Sequence, residues 1–374
     1  MRHIDEFAIY RFRGLRDLKL ADLGQINLLV GDNNSGKTSV LEALSIFCDP
    51  LNTRKWRDAV TTREVLAGQL RPNINDLLIW LFPQGEESTG GISSGDFGLS
   101  LSALGSTPLK KVSAYYERFS EIVRMKYSTV EEPVIEDRDV EVEGIRVHIS
   151  VEMRNIQQTL FDTDNSLKET LVFADYPLSS IASKKVIPVI PTQIVSPFSY
   201  RLSGLPLRLW SDVVEANLKS ETIELLQFFD PDIQEIDIIS PTERRPIVSV
   251  KHKRLGRAPL STFGDGLRRV FTLATTIPQV KNGLMLVDEL ETAIHTRALE
   301  RTFGWLIKAC VQNNVQLFAT THSIEALDTV IEVSRESVDL VGYRLQKGKE
   351  RITITRFEKE LLTLLREELG VEVR

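Results

Sequence analysis

The sequence predicts an α/β fold in which a mixed sheet is layered with helices. Short, wholly apolar or nearly apolar segments near both ends of the chain, at 26–30, 284–287 and 315–319, have the length and composition of buried strands. Segments with apolar residues at helical spacing follow the first two, at 37–48 and 296–313. Alternation of buried strands with helices is typical of a sheet that is covered by helices.

The remaining segments fill in the elements between these strands. The patterns predict, in chain order, strands at 7–10 and 17–20, helices at 74–82 and 111–125, strands and loops over 126–170, a strand and its exit at 186–195, a helical stretch at 205–229, strands at 233–239 and 247–251, a helix at 265–277, two strands around Gly348 and a helix at 358–369. Arg13 and Gly14 mark the turn between the first two strands.

The composition is that of an ordinary globular protein. Of the 374 residues 42% are hydrophobic and 26% charged, and the net charge of −6 argues against non-specific coating of nucleic acid by the whole surface. Two cysteines, Cys48 and Cys310, exclude a disulfide scaffold or a zinc ribbon and fit a reducing compartment. With no apolar run of about 18 residues and a charged N-terminus, we expect a cytoplasmic protein without a membrane partner.

The most specific motif occupies residues 31–38. Its sequence, GDNNSGKT, fits the phosphate-loop pattern G-x-x-x-x-G-K-[ST] in full and lies between a predicted buried strand and a predicted amphipathic helix. Glycines let backbone N–H groups wrap around phosphates, and the helix N-terminus favours negative charge. We therefore expect ATP and Mg²⁺ as cofactors, with Lys37 at the β- and γ-phosphates and Thr38 on the metal.

Two further predicted strands end in polar residues that could bind Mg²⁺, activate water or contact a phosphate. Asp288 and Glu289 follow the strand at 284–287, and a buried parallel strand delivers its last residues to the ligand crevice. Asp288 would hold the Mg²⁺ shell and Glu289 would polarise the attacking water. His322 follows the strand at 315–319, where it would sense the γ-phosphate. The alternative for Asp288 and Glu289 is that they are acidic residues at the end of an ordinary strand. The alternative for His322 is a purely structural role.

Several of these segments together resemble a known family. The run 26–44, INLLVGDNNSGKTSVLEAL, preceded by Phe12-Arg13-Gly14, resembles the opening of RecF-, SMC- and OLD-like ATPases. The resemblance continues at 259–269, 287–295 and 319–323. It is strongest with the stand-alone AAA-15/OLD-type ATPases of bacterial phage-defence systems such as PARIS.

This resemblance implies an ABC-type ATPase head that forms a homodimer or a higher homo-oligomer around ATP. The head would comprise residues 1–200 and 233–374, with a short helical arm at 201–232 between the phosphate loop and the signature. The resemblance gives catalytic roles to Lys37, Glu289 and His322, and metal-binding roles to Thr38 and Asp288. The residues expected to contact the nucleotide are Arg13, Asn33, Asn34, Ser35, Gly36, Lys37, Thr38, Ser39, Ser261, Gly264, Asp265 and Gly266.

Two departures from the family pattern affect this assignment. The signature at 261–266 lacks the adjacent glycines of a transporter signature, although a glycine-containing turn that opens a helix can still donate N–H groups to a γ-phosphate. The alternative is a helix N-cap at Ser261 or Thr262. The glutamine of the family's Q-loop is left open among Gln69, Gln84 and Gln193.

Two weaker patterns each have a more ordinary interpretation. The basic segment 251–257, KHKRLGR, could contact DNA phosphates or an acidic partner, but a solvated hairpin turn is favoured. The pair Asp162 and Asp164 resembles the D-x-D of a metal-dependent nuclease, but a surface loop is favoured.

The functional expectation concerns the output of the ATPase cycle. Only 52 residues follow His322, too few for the TOPRIM domain of OLD-like nucleases. We therefore expect a separately encoded effector, such as a TOPRIM-type nuclease, in anti-phage defence. The alternatives are a RecF-like repair ATPase that binds nucleic acid directly, and a nucleotide switch that does not hydrolyse ATP, against which Glu289 and His322 argue.

Overall fold

The structure of the protein is a computed structural model that describes residues 2–61, 73–84, 98–127, 136–154, 166–174, 187–202, 204–227, 229–240, 246–334, 338–348 and 351–358. In these ranges the strands form two six-stranded sheets and one three-stranded sheet. The predicted helix at 358–369, the candidate Gln69 and the pair Asp162 and Asp164 lie outside the described residues.

The central sheet has a parallel core. Its strands, in spatial order, are β15 (Ile352–Glu358), β14 (Leu340–Lys347), β3 (Ile26–Val30), β13 (Gln316–Thr320), β12 (Leu284–Val287) and β8 (Thr192–Val195). Only β15 pairs antiparallel to its neighbour among these described strands. The strands β3, β12 and β13 are buried at every position, as expected for strands that are covered on both faces.

Helices cover both faces of this sheet. The helix α1 (Lys37–Cys48) lies on one face, and α7 (Thr296–Gln312), α8 (Ile324–Val333) and part of α6 (Asp265–Gln279) lie on the other. Because successive strand residues point to opposite faces, Leu286 joins the core under α1 whereas its neighbour Met285 joins the core under α7. The predicted α/β fold, a mixed sheet layered with helices, is confirmed.

An antiparallel sheet packs on the outer side of α1. Its strands, in spatial order, are β2 (Leu15–Leu20), β1 (Glu6–Phe12), β4 (Leu99–Leu104), β5 (Leu109–Tyr127), β6 (Glu136–Met153) and β7 (Ser166–Ala174). Two short helices, α2 (Thr53–Thr61) and α3 (Ile74–Ile79), lie between α1 and β4 in the chain. Apolar residues of β1, β4 and α1 form one continuous core.

The helix predicted at 111–125 is wrong, because this segment is strand β5. Val112, Tyr116 and Phe119 are spaced four and three residues apart, which mimics a helical face. They are β-branched or aromatic residues, which suit a strand, and β5 pairs with β6 along its whole length. Hydrogen bonding to a partner that comes later in the chain therefore decides the conformation.

The third sheet belongs to a smaller unit with a core of its own. The helices α4 (Leu205–Glu215) and α5 (Lys219–Gln227) pack with β9 (Ile233–Ile239), β10 (Ile247–His252), β11 (Gly256–Pro259) and the first half of α6. The helices α4 and α5 lie within the segment 201–232 predicted to be an arm, and they do not project alone. They share a core with the helix that follows the signature.

None of the helices in the described ranges has both the length and the hydrophobicity that a membrane crossing requires.

We expect Trp210→Ala to lower the free energy of unfolding by about 3 to 5 kcal/mol. The indole of Trp210 is 1% exposed, and its ring centroid lies 6.0 Å from that of Phe271. Urea unfolding followed by far-ultraviolet circular dichroism measures the change. Trp80→Ala is the control, because Trp80 is 59% exposed and its loss should cost no more than about 0.5 kcal/mol. Equal effects of the two substitutions would contradict the assignment of Trp210 to a core.

Candidate nucleotide-binding site

The phosphate loop connects β3 to α1 through a backbone that requires glycine at two positions. Gly31 has a φ of 135° and Gly36, the N-cap of α1, a φ of 93°, both in the region that favours glycine. A Cβ on Gly31 would come within 2.2 Å of the carbonyl oxygen of Leu345. Asn33 and Asn34 are exposed on the loop, whereas Ser35 is buried beneath it.

The side chain of Lys37 folds back into the loop. Its Nζ donates hydrogen bonds to the carbonyl oxygens of Gly31 at 2.7 Å and Asp32 at 2.8 Å. Burial lowers the pKa of Lys37, and the charges of Asp288, Asp32, Glu289 and Glu291 oppose that shift. The acidic residues that follow β12 therefore lie within electrostatic reach of the loop.

The Asp288 carboxylate joins the phosphate loop to two strand ends. Thr38 Oγ1 donates to Asp288 Oδ2 at 3.0 Å, and Thr320 Oγ1 at the end of β13 donates to Oδ1 at 2.7 Å. Thr38 and Asp288 thus meet as the sequence predicts. A hydroxyl and a carboxylate are hard oxygen donors, the chemistry that Mg²⁺ prefers, so this donor set fits the expected metal.

Glu289 stands next in the chain, with a backbone conformation that is uncommon outside glycine. Its φ is 48°, and its N–H donates to Thr320 Oγ1 at 2.8 Å. The carboxylate accepts a hydrogen bond at Oε2 from Thr292 Oγ1 at 2.8 Å. One oxygen of Glu289 is therefore held by its own turn.

Arg269 of α6 binds backbone carbonyl groups that follow the strands β8 and β12. Its side chain is fully buried, and its guanidinium donates to the carbonyl oxygens of Ser196, Asp288 at 3.0 Å and Glu289 at 3.1 Å. Burial lowers the pKa of Arg269 to about 10, so the group stays charged at neutral pH. The sequence pattern assigned no role to this residue. The available signal was a cation among the apolar residues of α6.

His322 follows β13 and lies at the start of α8. Its backbone N–H donates to Glu291 Oε1 at 3.0 Å, and the N–H of Ser323 donates to the same oxygen at 3.1 Å. The imidazole is half-buried and makes no hydrogen bond within the described part of the chain. Its position therefore depends on the backbone that carries it.

Arg13 contacts the helices α1 and α2. Its Nε lies 2.8 Å from Glu42 Oε2, and its Nη2 donates to the carbonyl oxygen of Ala59 at 3.0 Å. The structure thus shows Arg13 joining the β1–β2 turn to α1 and α2. Ser39, the remaining residue of this predicted set, is buried within α1.

The signature segment opens α6. The N-cap of α6 is Gly264, so the alternative in which Ser261 or Thr262 caps the helix is wrong. Ser261 and Gly264 are exposed, and Gly266 lies in the first turn of the helix. Asp265 binds Arg201 and also accepts hydrogen bonds from Arg268 at 3.1 Å and Tyr200 at 3.3 Å. Arg201, with help from the other two groups, holds the pKa of Asp265 below its usual value.

The glutamine candidates within the described ranges do not lie at the carboxyl edge of the sheet. Gln84 donates to the carbonyl oxygens of Ile79 and Phe82, which end α3 and its following turn. Gln193 pairs with Met285 inside the sheet, two positions before β8 ends. Ser196 is the residue that follows β8, and the N–H of Asp288 bonds the preceding carbonyl of Val195 at 2.9 Å.

The basic segment 251–257 forms the hairpin between β10 and β11 and is partly neutralised. Arg254 pairs with Asp232, and Arg257 lies 2.9 Å from Asp237. These contacts are those of a solvated hairpin turn. They leave the two guanidinium groups already committed to carboxylates.

Asp230, Asp232 and His252 bring three donor atoms within 4.8 Å of one another beside this hairpin. His252 Nδ1 accepts the N–H groups of Arg254 and Leu255, both at 3.2 Å. In the neutral ring Nε2 then carries the proton, and it faces Asp230 at 3.3 Å. The arrangement braces the turn and does not offer a free ring nitrogen to a metal.

Comparisons with known proteins agree with this geometry. Residues 3–74 match the family model described as "AAA ATPase domain", and residues 200–328 match the model described as "AAA domain, putative AbiEii toxin, Type IV TA system". Both family models describe AAA domains. The chain belongs to the same family as "Uncharacterized protein MJECL11" of Methanocaldococcus jannaschii, which is 32% identical over 113 residues, 30% of this chain and 99% of that protein.

The chain also has more distant similarities. An "ATP/GTP phosphatase" of Helicobacter pylori is 22% identical over 359 residues, which cover 89% of each chain. RecF of Xanthomonas oryzae pv. oryzae is 33% identical over 94 residues, which cover 25% of this chain and 23% of that protein. An SMC head bound to the C-terminal winged-helix domain of ScpA superposes with a TM-score of 0.48 at 12% identity, over 96% of this chain and 99% of that chain. The resemblance to AAA-15 and RecF-type ATPases is confirmed.

Thr320→Val should weaken the site, because it keeps the shape of the side chain but removes two hydrogen bonds. Asp288 would lose a donor and the Glu289 N–H its acceptor. We expect Mg²⁺-dependent turnover to fall about 10- to 100-fold, as for other groups that orient a metal ligand. Titration of phosphate release against Mg²⁺ measures this. Thr329→Val, whose hydroxyl bonds only the Glu325 carbonyl among the described contacts, is the control. Parent-like turnover of Thr320→Val would remove Thr320 from the site.

Proposed function

We propose that this protein binds ATP with Mg²⁺ and hydrolyses it at the carboxyl edge of the central sheet. The convergence of Thr38, Asp288 and Thr320 beside Lys37 carries this proposal, because it joins a phosphate loop to a metal-binding carboxylate. The family matches to ATPase domains support the same activity.

The residues divide the chemistry as follows. Lys37 neutralises charge on the phosphates, and Thr38 and Asp288 hold the metal. Mg²⁺, when bound, supplies further charge neutralisation at the phosphates. Glu289 has one oxygen fixed by Thr292, which leaves the other to accept a hydrogen bond from the attacking water. Phosphoryl transfer asks for positioning and electrostatic stabilisation more than covalent chemistry, and these groups supply both.

We propose further that the signature of a second copy of the chain completes the ATP-binding site. Ser261 and Gly264 are exposed at the start of α6, where a helix N-terminus favours an anion. Asp265 would repel a phosphate at this position, but Arg201 and Arg268 pair with it. His322 then senses the γ-phosphate from the subunit that carries the phosphate loop.

The output of this cycle is proposed to pass through a separately encoded partner, expected from the family resemblance to be a TOPRIM-type nuclease in phage defence. One matching family model is described as a putative AbiEii toxin of a Type IV TA system. Co-expression with the neighbouring gene product and affinity purification test this. A partnerless protein that alone cleaves nucleic acid would contradict it.

A RecF-like role in DNA binding is the second candidate, and the RecF match of 33% identity over 94 residues favours it. Affinity for duplex DNA that rises with ATP would support it. Affinity that does not depend on nucleotide would count against it.

Glu289→Gln should bind ATP but hydrolyse it at least about 100-fold more slowly, because an amide cannot polarise water as a carboxylate does. The ATP-bound dimer should then accumulate. Phosphate release and light scattering with and without ATP measure the two effects. Glu300→Gln, at an exposed position of α7, is the matched control and should behave like the parent.

The companion variant Lys37→Ala distinguishes binding from hydrolysis, since it should lose both ATP affinity and dimer formation. Parent-rate hydrolysis by Lys37→Ala would refute the phosphate-loop assignment. An unchanged mass of Glu289→Gln with ATP would refute the dimer, provided that the protein is monomeric without nucleotide.

A further inference from the structure

Glu291 makes a contact that the proposed reaction does not yet use. It lies in the turn that follows β12, two residues after Glu289. Its Oε1 accepts hydrogen bonds from two consecutive backbone N–H groups, those of His322 and Ser323. The turn after one strand is thereby tied to the turn after its neighbour, β13.

The bond to His322 is the more consequential of the two. Ser323 is the N-cap of α8, and its side chain accepts a hydrogen bond from the N–H of Ala326 at 3.2 Å. The N–H of Ser323 also lies 3.1 Å from Thr321 Oγ1. His322 has no second tie of this kind, because Glu291 is the one acceptor that its N–H reaches among the described residues.

The charge of Glu291 suits this place. A carboxylate that accepts the N–H groups of the N-cap residue and of the residue before it lies next to the helix N-terminus, where the helix dipole favours negative charge. Glu291 is also among the acids that raise the pKa of Lys37 and of Arg269 against the effect of burial, so it lies within the electrostatic reach of the site. Its second oxygen, Oε2, is buried without a hydrogen-bond partner in the described part of the chain.

We propose that Glu291 is a positioning residue that holds the switch histidine, His322, in register with Glu289. This inference rests on the proposed ATPase function. The carboxylate acts through the backbone N–H of His322. Without it, the start of α8 loses the one bond that fixes His322 to the turn carrying Glu289, and the imidazole loses its alignment with the γ-phosphate.

The test uses Glu291→Ala, Glu291→Gln, His322→Ala and the double variant Glu291→Ala/His322→Ala. Glu291→Ala should lower kcat about tenfold or more, as small misplacements of catalytic groups do, with KM for ATP within about twofold. Glu291→Gln should restore most of the rate, because its amide oxygen still accepts both N–H groups. The double variant should be no slower than His322→Ala alone, since Glu291 acts through that residue.

Glu325→Ala is the matched control. Glu325 Oε2 accepts a hydrogen bond from Ser323 Oγ at 2.7 Å, so this acid touches the same turn through a side chain and not through the His322 backbone. Its kcat should stay within about twofold of the parent. Additive losses in the double variant, or a Glu291→Gln variant as slow as Glu291→Ala, would overturn the proposal.

Hydrogen–deuterium exchange separates this inference from the proposed function. Exchange of the amides of His322 and Ser323 should accelerate in Glu291→Ala and stay near the parent rate in Glu291→Gln. A parent protein without ATPase activity would refute the proposed function, whereas exchange unchanged by Glu291→Ala would refute the tie itself, whatever the activity.

Discussion

The Asp288 carboxylate is the group on which the candidate site depends. It is 9% exposed and accepts hydrogen bonds from Thr38 on the phosphate-loop helix and from Thr320 at the end of β13. A charge removed from water is costly unless it is paired or hydrogen-bonded, so these hydroxyl groups stabilise the carboxylate where it stands. The start of α1 and the ends of β12 and β13 are thereby held in one arrangement.

Two longer-range ties extend this arrangement to the rest of the head. Arg269 connects the helix of the signature to the carbonyl groups of Asp288 and Glu289, and Glu291 connects their turn to His322. Buried polar networks of this kind favour one geometry, because each unmet donor or acceptor is costly in a low-dielectric interior. Hydrogen bonds therefore link α6, the turn that carries Asp288 and Glu289, and the backbone of His322.

Residues that follow a buried strand could be placed from the sequence because the strand itself determines where its last residue goes. Lys37, Thr38, Asp288 and Glu289 come together for this reason. The long strand β5 was mistaken for a helix because its pairing with β6 is invisible in a local window. The roles of Arg269, Thr320 and Glu291 were missed for the same reason. The partners of these side chains lie 19 to 73 residues away for Arg269, and 31 or 32 residues away for the other two.

Binding of Mn²⁺ in place of Mg²⁺, followed by electron paramagnetic resonance, tests the central claim most directly. The account predicts one tight Mn²⁺ site that forms only with bound nucleotide and that weakens at least about tenfold in Asp288→Asn, as expected when a metal ligand loses its charge. Mn²⁺ binding that needs no nucleotide, or that is equally tight in the parent and in Asp288→Asn, would contradict it.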